Sequence, residues 1–62
     1  MTKYRIVLLN DAGEEVSSGY MFAGDDGSAC GSAERLMQST ANAASVRVLD
    51  GDRLVCSYER AA

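Results

Sequence analysis

The chain of 62 residues has no histidine and only two cysteines, Cys30 and Cys56. Without histidine, the usual general base and the usual orienter of a serine or cysteine nucleophile are missing, which excludes triad and Cys-His dyad chemistry within this chain. Two cysteines cannot build a tetrahedral zinc site without further nitrogen or sulfur ligands. The glycines match neither GxGxxG nor a phosphate-binding loop, which would also need a Lys-Ser or Lys-Thr pair that is absent here. Asp25-Asp26-Gly27 and Asp50-Gly51-Asp52 lack the alternating ligands and distal glutamate of an EF-hand loop, and read as a helix cap and a turn. The expectation is a protein that is not an enzyme, with no catalytic residue, cofactor, metal or small-molecule substrate. No apolar run approaches the roughly 18 residues of a membrane span. Met1 leads directly into a charged strand rather than a signal peptide. The chain is therefore expected to be cytoplasmic, with no membrane partner.

Basic charge is also scarce: six Lys and Arg face nine Asp and Glu, for a net charge of −3 and a pI of about 4.6. Nucleic-acid binders neutralise phosphates with a basic surface, so direct nucleic-acid binding is not expected. A chain this short forms one domain, residues 1–62, and buries only about 60% of its unfolded surface. Ordering each residue costs roughly 1.5 kcal/mol, so folds of this size need a staple or a partner.

What is present begins with Asp25 to Asn42, the only stretch with helical periodicity. Ala29, Ala33, Leu36, Met37, Thr40, Ala41 and Ala44 recur three or four apart and fall on one stripe. Asp25, Asp26 and Ser28 suit the N-terminal cap, and the carboxylates suit the positive end of the helix dipole. The helix is predicted to start near Asp26 to Ser28 and to stop near Ala41, with Asn42 in the left-handed conformation. Cys30 lies in the first turn, where exposed N–H groups can lower a thiol pKa. Free cysteine is, however, among the most buried residue types, and a buried apolar role is expected. A disulfide to Cys56 is geometrically conceivable, though a cytoplasmic chain argues against it.

Two hairpins flank the helix. Lys3 to Asn10 is rich in β-branched and aromatic residues and reads as a strand, with Asn10-Asp11-Ala12-Gly13 as turn and Glu14 to Phe22 returning. A loop of Asp11, Ala12 and Gly13 pairs Leu8 with Val16, Ile6 with Ser18 and Tyr4 with Tyr20. This gathers Tyr4, Ile6, Leu8, Val16, Tyr20 and Phe22 on one face. The last segment, from Ser45 to Arg60, is a second hairpin. A three-residue loop Asp50-Gly51-Asp52 places Val46, Val48, Leu54, Cys56 and Tyr58 opposite Arg47, Leu49, Arg53, Val55 and Ser57. A two-residue Asp50-Gly51 turn would scramble these faces. The fold class is thus α+β, a two-layer ββαββ domain: four antiparallel strands with one helix on one face, the strand order left open.

If the helix covers the Tyr4, Ile6, Leu8 face, the other face carries Arg5, Val7, Leu9, Met21, Arg47, Leu49 and Val55. That apolar patch is the candidate surface for a homodimer or a protein partner. The acids Asp11, Glu14, Glu15, Asp25, Asp26, Asp50 and Asp52 form a candidate negative rim. Four-stranded sheets with aromatics on the open face are also how RRM-type modules stack bases. Here the aromatics Tyr4, Tyr20, Phe22 and Tyr58 are expected beneath the helix, so that reading returns only if the registers shift by one residue. In size, acidity and lack of catalytic residues the chain is similar to phage-encoded anti-CRISPR and other anti-defence inhibitors, which share no common motif. The resemblance implies an alternative: an inhibitor whose acidic rim blocks a nucleic-acid-binding site on its target.

Overall fold

The computed structural model describes residues 1–60; Ala61 and Ala62, which the sequence suggests are frayed, lie outside the described residues. The elements are β1 (Thr2–Leu9), β2 (Glu15–Ala23), α1 (Asp26–Ser39), β3 (Ser45–Asp50) and β4 (Arg53–Glu59). They form one four-stranded antiparallel sheet in the order β2-β1-β3-β4, with α1 across one face. This is the two-layer ββαββ architecture expected from the pattern. The strand order places the most apolar strand, β1, inside the sheet, where Ile6 pairs Val48 and Leu8 pairs Val46.

The core lies between sheet and helix. Tyr4, Ile6, Leu8, Val46 and Val48 rise from the two central strands against Ala29, Ala33 and Met37 of α1. Ala29 and Ala33 are fully buried, so the helix backbone sits close to the sheet. Leu36, expected in the core stripe, is instead 43% exposed, and Cys30 takes the buried place beside the alanines.

The first turn forms as predicted, with Gly13 at φ 80°. Asn10 organises it: its side-chain oxygen accepts from the Ala12 and Glu14 N–H groups at 3.0 and 2.9 Å. Beyond the turn the register departs from expectation. The pairing shifts between Leu8 and Leu9, so Leu9 pairs Glu15 but Leu8 pairs Ser17, and Val16 is an extra residue in β2. Every later residue of β2 therefore changes face. Tyr4 pairs Met21 rather than Tyr20, and Arg5 pairs Tyr20. Met21 packs on the core, while Tyr20 and Phe22 turn away from the helix.

The second hairpin carries a similar correction. Asp50 pairs Arg53, leaving a two-residue Gly51-Asp52 loop in place of the three-residue loop, with Gly51 at φ 62°. A shift between Val48 and Leu49 restores Val46, Val48, Cys56 and Tyr58 to the helix side. It also exchanges Leu54 and Arg53: Leu54 pairs Leu49 on the uncovered face, and Arg53 turns toward the helix N-terminus. Val55, the extra residue, packs against the core instead of the open face.

The helix ends differ in how they are closed. At the N-terminus Asp25 accepts from the Ser28 N–H at 2.7 Å, as predicted. At the C-terminus Asn42 does not adopt the left-handed conformation; among the described residues only glycines have positive φ. The helix stops at Ser39, and Thr40 is extended. The Arg60 guanidinium, arriving from the far end of the chain, donates to the carbonyls of Met37, Thr40 and Ala43. A cation beside the Met37 and Thr40 carbonyls also suits the negative end of the helix dipole. Finally, Cys30 and Cys56 are joined in a disulfide, tying α1 to the edge strand β4. The bridge that the sequence left open, conceivable on geometry and disfavoured only for a cytoplasmic chain, is thus present.

Candidate functional site

The sheet face away from the helix is built by alternation along β1, whose Lys3, Arg5, Val7 and Leu9 point away from the core residues Tyr4, Ile6 and Leu8. Residues opposite one another across a ladder share a face. Phe22, Tyr20 and Ser18 of β2 therefore join it, as do Leu49 and Arg47 of β3 and Leu54 and Ser57 of β4. Tyr20, Phe22 and Leu54 are 65%, 63% and 54% exposed. The Lys3 ammonium lies 4.3 Å from the centroid of the Tyr20 ring, a cation–π contact across the β1–β2 ladder.

Of the residues expected on this face, Arg5, Val7, Arg47 and Leu49 are there. Leu9 has the right direction but is only 9% exposed, lying beside Asn10, Ala44, Ser45 and Arg47, so it offers little to a partner. Met21 and Val55 belong to the helix side, because each follows or forms a bulge. Tyr20, Phe22 and Leu54 take their place. One sequence signal bears on this: Tyr20-Met21-Phe22-Ala23 is apolar at successive positions, so either parity buries a large side chain and exposes another.

The charge on this face opposes that of the chain. Lys3, Arg5 and Arg47 spread across it, and its acids, Glu15 and Glu59, lie at the two ends of the row that contains Leu9 and Ser45, on the outer strands. The acids expected as one rim fall at two opposite ends of the sheet. Asp11, Glu14 and Glu15 lie at the β1–β2 turn, beside Ser45. Asp25, Asp26, Asp50 and Asp52 lie at the other end, where Arg5 pairs Leu49.

Most of this second group is occupied by internal contacts. The Tyr4 hydroxyl donates to Asp26 at 2.7 Å, and Arg53 donates to Asp26 at 3.4 Å and to Asp50 at 3.2 Å. The Tyr4 and Arg53 hydrogen bonds hold the Asp26 carboxyl below the usual carboxylate range. Asp25 is held low by the Ser28 backbone N–H. Reciprocally, the hydrogen bond to Asp26 pushes the Tyr4 phenol up. Chemically, this is a cap and ion-pair network that fixes the start of α1 on the sheet. No group of acids or cysteines that could hold a metal ion occurs among the described residues.

Comparison with protein-family models, with curated proteins and with solved structures finds no match for the chain.

Proposed function

We propose that the protein is a small binding module that engages another protein through the uncovered sheet face. The observation that supports this most is the composition of that face: aliphatic Val7, Leu49 and Leu54, exposed rings of Tyr20 and Phe22, and Lys3, Arg5 and Arg47 among them. Aromatic and arginine side chains on an apolar ground are the usual anchors of protein interfaces. The complementary partner surface is apolar with an acidic border.

A second reading has a specific observation in its favour. The one-residue shift of β2 meets the condition under which base stacking returns, since two rings and three cations now share an open four-stranded sheet. It draws less support than the protein reading for three reasons. Both rings lie on an outer strand, Lys3 occupies one face of the Tyr20 ring, and the centre of the sheet is aliphatic. The inhibitor that works through an acidic rim has less support still, because the acids are divided between two ends and three of them are engaged in capping or ion pairs.

The disulfide favours an oxidising compartment over the cytoplasm, since structural disulfides persist where thiols are not kept reduced. The test of the module is quantitative affinity capture from the native host with three baits: the wild type, Tyr20→Ser/Phe22→Ser, and Asp50→Asn/Asp52→Asn. A protein lost only from the face variant supports the reading. A protein lost only from the acid variant contradicts it, as does nuclease-sensitive recovery of nucleic acid by the wild type alone.

A further inference from the structure

The sheet has two outer strands, β2 and β4, and they are protected unequally. Outer strands present unpaired backbone N–H and C=O groups, and proteins blunt them with charge, proline, bulges or short length. β4 carries Arg53 and Glu59 at its ends and a bulge at Val55, and Cys56 anchors it to the helix. β2 is the longest strand, at 9 residues, and from Val16 to Gly24 the chain has no charge and no proline. Its one irregularity lies at its beginning, leaving Ser17 to Ala23 as a regular open edge.

The helix side of the same edge is incompletely filled. A shallow cavity of about 120 Å³ opens there, floored by Ile6 and Leu8 and bordered by Ser17, Gly19, Met21 and Leu36. Small residues at Ser17 and Gly19 leave this corner empty, because α1 packs chiefly over β3 and Leu36 stops at the rim.

We propose that a second copy of this chain occupies this edge, pairing its own β2 antiparallel to the first about a two-fold axis near Gly19. The two four-stranded sheets then become one continuous sheet with both helices on the same side. A two-fold interface must be complementary to itself, and this strand meets that requirement in two ways. Its uncharged stretch brings no like charges together. Centred on Gly19, the pairing sets Met21 of each copy against Ser17 of the other, and Tyr20 against Ser18, so large side chains meet small ones on both faces. Each Met21 is then placed at the edge of the other copy's cavity, beside Leu36. This goes beyond the partner-binding reading, since it uses the strand edge and leaves the face free.

Sedimentation equilibrium of the full chain tests it, with Gly19→Lys and Gly19→Glu as variants. A Cβ at Gly19 meets no atom within 4 Å, and its φ is not in the left-handed region, so the backbone there accepts a side chain without strain. The wild type should sediment at twice 6.6 kDa. Each variant alone should be monomeric, through repulsion across the axis, and an equimolar mixture of the two should recover the dimer. As a check needing no variant, amides in Ser17 to Phe22 of the wild type should exchange more slowly as concentration rises. The proposal is overturned by a monomeric wild type, by dimers in both variants, by a mixture that stays monomeric, or by exchange independent of concentration. A dimer that both Gly19 variants leave intact and that Val7→Lys/Leu49→Lys, on the inner strands of the uncovered face, dissolves would assign self-association to the face and overturn the edge.

Discussion

Reducing the Cys30–Cys56 disulfide should cost the fold much of its stability. The helix it holds contributes mainly Ala29, Ala33 and Met37 to the core, so little apolar area fastens that layer to the sheet. The bridge spans a sequence separation of 26 residues. By the loop-entropy relation, such a closure removes about 12 cal/mol/K from the unfolded chain, or ~3.5 kcal/mol at 25 °C. A chain of 62 residues has a total stability of roughly 3–9 kcal/mol. Its unfolding entropy, at about 2.1 cal/mol/K per residue, is roughly 130 cal/mol/K, so the Tm should fall by about 25 °C on reduction. Thermal melts followed by circular dichroism, with and without a phosphine reductant, measure the shift directly. A Cys30→Ala/Cys56→Ala variant should reproduce it. Melts that overlay within a few degrees would show that the bridge does not hold the helix layer in place, as would alkylation of both thiols in the native, unreduced protein.

The remaining predictions concern the register, the helix ends and pH. Tyr20→Ser and Phe22→Ser should each change stability by less than about 0.5 kcal/mol in urea denaturation, because their rings are exposed. Met21→Ala, between them, should cost about 2 kcal/mol, because its side chain packs on the core. Arg60→Ala removes the guanidinium donors to the Met37, Thr40 and Ala43 carbonyls and should cost about 1.5 kcal/mol, with amide exchange in Met37 to Ala43 rising first. The lowered pKa values of Asp25 and Asp26 make a contribution that is full at neutral pH. It is lost as pH falls below the unfolded carboxylate value near ~4 and through the folded values. Tyr4 works in the opposite sense: its raised pKa favours the protonated phenol, so its contribution holds below pH ~10 and is lost as pH rises through the folded value. Urea midpoints measured across pH should therefore fall at both ends. Asp26→Asn should flatten the alkaline fall and part of the acid one, and an unchanged profile in that variant would count against the network.

How much of this was legible in the sequence depended on whether one feature or two competed at a position. The helix start was legible because Asp25 is followed by Ser28 at capping distance and by an alanine stripe, and nothing else in the chain has that period. The first turn was legible from Gly13. Bulges were not, because a bulge is a choice between two parities and Tyr20-Met21-Phe22 gives no preference: each parity hides and exposes large apolar groups. Leu54-Val55-Cys56 posed the same ambiguity at the second hairpin. The disulfide was within reach on geometry, with Cys56 directed at the helix, and was set aside only on the compartment. Arg60 carried no signal, since its role depends on the chain end passing the helix C-terminus in space. The consequence for the candidate surface is specific: Met21 and Val55 left it, Tyr20, Phe22 and Leu54 joined it, and the aliphatic centre at Val7 and Leu49 stayed.

The extra residue at Val16 sends Tyr20 and Phe22 to the uncovered face. Nuclear Overhauser contacts from the Tyr20 ring test this most directly in the isotopically labelled protein. They should reach the side chains of Lys3 and Arg5, with none to Ala33 or Met37. Ring contacts to Met37 or Ala33, with Met21 in contact with Lys3 or Arg5 instead, would place the aromatics beneath the helix and remove the proposed binding face.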